Sequence, residues 1–345
     1  MSRKAHTLPH PISLHSWNGD FSQIAMVPTG SHDVLIYDVL FTNNTSASFN
    51  LVHKLSAHVQ TITDIDWCNQ ADRIVTCSED CSIRVWNYDE TRSKWIEQIV
   101  HTQATRAAFS AEWSPCGKYF ALGNGMKTVS RCFYDEVNKF WTDAGKENTI
   151  KKPHKSAVTN VAWSPDSLRL ATACTDCHFR VFDLASRKTL IDIETPSWID
   201  AISFSTNDEV AFSCHNATLH FINVPTQSHE TLLLRGLPER CLVFVNPDTL
   251  IGGGYDCNPH VYKRVEGKWT FEKALDQPKE KTSSGVGKLA ASFQKFQLQA
   301  SVGSAAKADY ALETIHQNTI FAMSLVKGST LCTTSSDGKL VLWSL

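Results

Sequence analysis

Long apolar runs are missing from this 345-residue chain: none approaches the roughly 20 residues that a membrane-spanning helix needs, so no membrane insertion is expected. The opening stretch MSRKAHTLPHPISLHSW has no continuous apolar segment, and no secretory leader is expected. An excess of either charge is missing too. A net charge of -2 and a pI near 6.7 argue against a strongly basic nucleic-acid binder, so no nucleic-acid partner is expected. The nucleophile elbow G-x-S-x-G does not occur. Gly252, Gly253 and Gly254 form a run, but no helix pattern and no Lys-Ser/Thr pair follows it, as a phosphate loop requires. Small residues needed on crowded inner strands explain that run better. Cysteine is not scarce. Eleven cysteines, an odd number in a chain without a leader, fit reduced thiols in a cytoplasmic or nuclear compartment.

What the chain does have is repetition. In AHVQTITDIDWCNQADRIVTCSEDCSIRVW, residues 57–86, three β-like runs alternate with polar turns, and Asp80 stands six positions before Trp86. The same interval separates Asp176 from Phe182, Asp256 from Tyr262 and Asp337 from Trp343. A threonine lies four before the aspartate in three of these units, as Thr76, Thr172 and Thr333. His58 and His154 each lie nine before the tryptophan that ends a first run, and His316 precedes the last unit. Weaker units at 12–37, 108–134 and 199–222 raise the count to seven, most of them 40 to 49 residues apart. That spacing is about one propeller blade. A further short run after most units supplies a fourth strand. The last unit has none of its own, so residues 4–10 are expected to close it and leave no open sheet edge.

Some residues invite a chemical reading. Cys174-Thr175-Asp176-Cys177-His178 matches the C-x-x-C-H pattern of haem attachment, yet Asp176 is the repeat aspartate of its unit, which favours a strand–turn–strand. No haem or metal is expected there, since zinc needs about four converging ligands. Repeated His–Thr–Asp sets look like hydrolytic triads on paper. Recurrence at one offset marks them as scaffold: His58, Thr76, Asp80 and Trp86, then His154, Thr172 and Asp176, then His316, Thr333, Asp337 and Trp343. A buried network of this kind satisfies its own polar groups. The fifth unit has Asn216 and Ile222 at the repeat positions, so its network should be absent or incomplete. Lys146, Lys151, Lys152 and Lys155 cluster before the fourth unit, read as a solvated loop in preference to a contact surface.

The interval from Tyr262 to Trp343 is 81 residues, about two spacings with one unit inside. The surplus falls at 276–312. Within it, Leu289, Phe293, Phe296 and Ala300 recur at helical spacing, predicting an amphipathic helix over 288–300. Its two phenylalanines, worth about 3–6 kcal/mol on burial, either pack on the propeller itself or anchor a protein contact.

The His, Thr, Asp and Trp pattern resembles the WD-repeat family. That resemblance implies an all-β fold, a seven-bladed WD-repeat β-propeller in one domain over 1–345 with an insert before the last blade. A closer resemblance covers nearly the whole chain. PISLHSWN with QIAMVP, TITDIDW with DRIVTCSED, RAAFSAEWSP, IKKP at 150–153, YDCNPHVY, LDQPK and YALETIHQNTI are similar to the propeller subunits of the actin-related protein 2/3 complex. This implies a non-catalytic scaffold without cofactor, located in the cytoplasm and actin cytoskeleton, that supports nucleation of branched actin filaments. Implied partners are the other subunits of that complex, the actin filament and nucleation-promoting factors. The insert would then carry the contact with actin or activators, chiefly through Lys288, Leu289, Phe293, Lys295 and Phe296. The alternative is a general WD-repeat adaptor in another multiprotein assembly.

Overall fold

The computed structural model describes residues 2–145, 148–150, 153–277 and 312–345. Within these, seven antiparallel sheets follow one another along the chain. Blade 1 is Ile12–Trp17, Gln23–Pro28, Asp33–Phe41 and Ala47–Ser56; blade 2 is Ile62–Trp67, Arg73–Ser78, Ile83–Asp89 and Lys94–Ile99. Blade 3 is Ala108–Trp113, Tyr119–Asn124, Val129–Asp135 and Phe140–Thr142, with Thr149–Ile150 also paired to its third strand. Blade 4 is Val158–Trp163, Arg169–Cys174, His178–Asp183 and Thr189–Glu194; blade 5 is Ile199–Phe204, Glu209–Cys214, Thr218–Asn223 and His229–Leu233. Blade 6 is Glu239–Asn246, Thr249–Gly254, His260–Val265 and Lys268–Ala274. Blade 7 is Ile320–Val326, Thr330–Ser335 and Lys339–Ser344, completed by Arg3–Thr7 from the start of the chain. The first strand of each blade touches the first strand of the next, and the seventh touches the first, so the sheets form a closed ring. No helix among the described residues is long and apolar enough to cross a membrane.

The turns between second and third strands explain the repeat. The residue after each repeat aspartate or its substitute takes the left-handed conformation, at Cys81, Cys177, Ala217, Cys257 and Gly338, with φ between 58° and 76°. Asp80, Asp176 and Asp337 each accept a backbone N–H from two residues on, from Ser82 at 2.8 Å, His178 at 3.1 Å and Lys339 at 2.9 Å. That side-chain turn is local, so its length is constant along the chain.

The core lies between blades. Seven apolar clusters each combine facing sides of two neighbouring sheets. Between blades 2 and 3, for example, Val75, Cys77 and Val85 meet Trp113, Phe120 and Trp141. A sheet apolar on both sides cannot be satisfied alone, so a ring of such sheets holds together by mutual burial. The outermost edge of blade 7 is covered by Arg3–Thr7, paired from Arg3↔Trp343 to Thr7↔Lys339. The Arg3 guanidinium lies over the Trp343 ring at 5.7 Å and 2.5 Å from Asp276.

The glycine run stands on the second strand of blade 6, not on an inner strand. Its reason is local: a Cβ on Gly252 would lie 2.7 Å from Glu239 Cγ, and one on Gly253 2.7 Å from Met323 Sδ of the next blade. Blade 3 also departs from the repeat. Its outer strand is only three residues long, and Thr149–Ile150 takes over further along the same edge. The insert at 276–312 joins blades 6 and 7. The helix predicted over 288–300, with Lys288, Leu289, Phe293, Lys295 and Phe296, lies outside the described residues, as do Lys146, Lys151 and Lys152.

Candidate functional site: blade networks and the channel mouth

The structure brings His58, Thr76, Asp80 and Trp86 into one chain of hydrogen bonds. Trp86 Nε1–H donates to Thr76 Oγ1 at 3.0 Å, Thr76 lies 2.8 Å from His58 Nε2, and His58 Nδ1 lies 3.1 Å from Asp80. Because the Asp80 carboxylate can only accept, the ring donates to it from Nδ1, and the bare Nε2 accepts the Thr76 hydroxyl proton while Thr76 accepts from the indole. Blade 7 repeats this with Trp343 to Thr333 at 2.9 Å, Thr333 to His316 at 2.8 Å and His316 to Asp337 at 3.3 Å. Each aspartate also accepts the amide just beyond the histidine, Val59 or Gln317, and so ties the incoming loop to the blade. Burial pushes the Asp80 carboxyl up, but bonds from Ser82 and Val59 outweigh it and hold it at about 2.

Blade 4 runs in the opposite direction. Its aromatic is Phe182, which has no proton to donate, and Arg180 enters instead. Arg180 Nη1 lies 2.6 Å from His154 Nδ1, and a guanidinium only donates. His154 Nδ1 is therefore an acceptor, and its Nε2–H donates to Thr172 at 2.8 Å. Arg180 also bonds Asp176 at 3.2 Å and Asp192 at 3.0 Å. Burial, helped by the Arg180 charge, lowers His154 to about 4. The sequence reading missed Arg180. Its only signal was position, two residues before Phe182, and Arg84 at the same place in blade 2 turns away to Glu97.

Blade 6 keeps the aspartate and discards the rest. Asp256 accepts the Leu237 amide at 2.8 Å, but a buried glutamate replaces the histidine–threonine pair. Glu239 Oε1 accepts from Tyr262 Oη at 2.6 Å and from His260 Nδ1 at 2.8 Å. Gly252, where three other units have threonine, leaves room for that carboxylate. In blade 5, Asn216 accepts from Thr218 at 2.8 Å, and Thr218 lies 2.9 Å from His220 Nε2. Burial lowers His220 to about 4 and also lowers His229, so both rings are neutral at pH 7.

The axis carries a second polar system, also missed in the sequence. Each inner strand has one edge without a strand partner, and in blades 2, 3 and 4 side chains of the preceding blade bond amides on it. Asp64 accepts from Ala111 N at 3.0 Å, Asp66 from Trp113 N at 2.7 Å and Glu112 from Trp163 N at 3.2 Å. Burial raises Asp64 to about 6 and Asp66 to about 7, and raises Glu112 well above the usual carboxylate range. The Asp66 charge adds to the rise at Glu112.

Every inner strand has a β-bulge after its first residue. Seven equivalent residues are thereby turned toward the channel mouth, a cavity of about 840 Å³: Ser13, Thr63, Phe109, Thr159, Asp200, Arg240 and Phe321. Ser13, Thr63 and Thr159 bond nearby carbonyls. The other four differ in kind. Phe109 is exposed, Asp200 pairs with His215 at 3.0 Å, and Arg240 lies over Phe321 at 4.7 Å. Trp198, also exposed, stacks on His215 at 4.4 Å. Each of the seven is the second residue of its inner strand, a position that stands out only once the bulge is known.

Among the described residues, one group of three potential metal ligands converges: His154, Cys174 and Asp176, with ligand atoms within 4.8 Å. The Arg180 guanidinium already stands beside two of them, so a fixed positive charge takes the place of an ion. Cys177 occupies the left-handed turn position, and His178 pairs with Asp192 at 2.7 Å. The C-x-x-C-H stretch is thus used for a turn and an ion pair.

Closed seven-blade geometry and recurrent loop-tying aspartates define a WD-repeat β-propeller, and the repeat described as "WD domain, G-beta repeat" matches residues 49–87 and 145–183. The likeness extends over the whole chain. It is 30% identical to "Actin-related protein 2/3 complex subunit 1B" of Arabidopsis thaliana, over 99% of this chain and 96% of that protein. It is 29% identical to "Actin-related protein 2/3 complex subunit 1A-B" of Xenopus laevis (97% and 94%) and 26% identical to "Actin-related protein 2/3 complex subunit 1" of Schizosaccharomyces pombe (100% and 99%). The chain belongs to the actin-related protein 2/3 complex subunit 1 family.

Proposed function

We propose that this chain is a non-catalytic scaffold subunit of an actin-related protein 2/3 complex in the cytoplasmic actin cytoskeleton, where it supports nucleation of branched actin filaments. The observation that carries this reading is the end-to-end match to proteins named as subunit 1 of that complex, including the stretches on both sides of the insert. Its partners on this reading are the other subunits, the actin filament and nucleation-promoting factors. The polar groups described above fit a scaffold: they bond one another and the backbone, and so stiffen blades.

The segment at 276–312 is assigned the contact with actin or an activator, through Lys288, Leu289, Phe293, Lys295 and Phe296. Its base supports a fixed exit. Asp276 is buried and bonds Arg3, and it accepts the Ile315 amide at 2.5 Å, so both ends of the insert are held at one carboxylate. Asn258 adds a two-way bond to the Asp276 backbone, at 2.9 and 3.0 Å. The test is a reconstituted complex carrying Phe293→Ala and Phe296→Ala. Assembly should be retained and branch formation reduced. Normal branching overturns the assignment of the insert; failure of the unaltered chain to co-purify with actin-related proteins overturns the subunit reading itself.

A further inference from the structure

Blade 5 places two histidines on adjacent strands with their nearest ring nitrogens 2.9 Å apart, His220 Nδ1 and His229 Nε2. The ring centroids are 5.2 Å apart and the planes differ by 27°. With the nitrogens so much closer than the centroids, the rings meet edge to edge. Surrounding bonds settle which nitrogen of His220 is free. Asn216 Oδ1 only accepts, so it takes the Thr218 hydroxyl proton. Thr218 Oγ1 must then accept from His220 Nε2–H. His220 Nδ1 is left with a bare lone pair aimed at His229. One ring nitrogen donating outward and the other bare is how a protein holds a histidine for metal ligation. His220 is also immobile, buried and stacked on Phe212 at 4.6 Å and 2°. His229 is exposed on the outer strand. Thr231 Oγ1 lies 3.2 Å from His220 Nδ1 and 3.5 Å from His229 Nε2, close enough to offer an oxygen.

We propose that His220 Nδ1 and His229 Nε2 bind a divalent transition-metal ion that prefers imidazole, Cu2+ more tightly than Ni2+ or Zn2+. Metal–nitrogen bonds of about 2.0–2.1 Å set two ligands in adjacent tetragonal positions about 2.9 Å apart. The present nitrogen separation already meets that distance. The two lone pairs reach one ion when the exposed His229 ring tips outward about its side-chain bonds. No net proton is released: the His229 proton passes from Nε2 to Nδ1, which makes no hydrogen bond among the described residues. Thr231 and water complete the coordination. The channel does not use this pair, and the blade 5 network uses only the other nitrogen of His220.

The full chain titrated with Cu2+ in a non-chelating buffer tests this, by calorimetry and by electron paramagnetic resonance. One equivalent should bind, with hyperfine structure from two nitrogens. His229→Ala, at an exposed position, should weaken binding at least tenfold, and His229→Gln should do the same with the side-chain bulk retained. Thr218→Val, which keeps both ligands but frees the His220 tautomer, should weaken it about tenfold. Absence of a bound equivalent, or binding that His229→Ala and His229→Gln leave unchanged, overturns the proposal.

Discussion

Replacing Thr76 by valine removes one hydroxyl and almost no volume. That hydroxyl is fully buried and serves two groups, Trp86 Nε1 at 3.0 Å and His58 Nε2 at 2.8 Å. Valine leaves both without a partner in a site that water does not reach. A buried polar group left unpaired costs about 1–3 kcal/mol, so Thr76→Val, which orphans both, should destabilise by about 2–6 kcal/mol. The same change at Thr172 is the internal control. There the aromatic is Phe182, and the side-chain group orphaned is His154 Nε2 alone, so the cost should be about 1–3 kcal/mol. Thr333→Val in blade 7 should match Thr76→Val, because Trp343 and His316 are both orphaned. Urea unfolding of the three variants against the parent measures this, read as midpoint shifts at constant slope. A Thr172→Val loss equal to the other two would refute the indole bond as a separate source of stability in blades 2 and 7. A loss below about 0.5 kcal/mol at Thr76 would refute the network as a source of stability.

Three further outcomes follow from the same geometry. Asp66 is raised to about 7 when folded against 3.8 when free, so its contribution to stability is full below about pH 4 and is lost as pH rises through 7. The melting temperature of Asp66→Asn relative to the parent should therefore rise from pH 5 to pH 8, and parallel profiles would contradict the assignment. Gly252→Ala drives a methyl group to 2.7 Å from Glu239 Cγ, and the displaced carboxylate must release Tyr262 and His260. A destabilisation of about 1–3 kcal/mol is expected, measurable by thermal unfolding. Deleting residues 2–8 uncovers the edge of Lys339–Ser344 and breaks the Arg3–Asp276 pair. Light scattering should show self-association at concentrations where the parent is monodisperse; a monodisperse deletion variant would speak against a ring closed through that strand.

Legibility differed by the range of the interaction. The six-residue interval from Asp80 to Trp86 stands out because the aspartate closes a turn between adjacent strands, and the length of such a turn cannot drift. The His58, Thr76 and Asp80 offsets are legible for the same reason, since all lie within one blade. Arg180 was not, because it stands outside the recurring His, Thr, Asp and Trp offsets and bonds Asp192, which no repeat position marks. Nor were Asp64, Asp66 and Glu112: they look like ordinary alternating polar residues of half-buried strands, and their partners are backbone amides 47 to 51 residues further on. Glu239 and Gly252 explain each other, but only when strands from two parts of blade 6 lie side by side.

The sequence by itself determined the number of blades, the class of fold and the family, because turn chemistry and apolar alternation act over a few residues and repeat. The tertiary structure alone decided which way protons point in each blade, how the inner edges are satisfied and what the bulges present at the channel mouth. The inner edges depend on contacts between blades, and the proton directions and bulges on contacts between strands of one blade; in each case folding brings separate segments within hydrogen-bond distance.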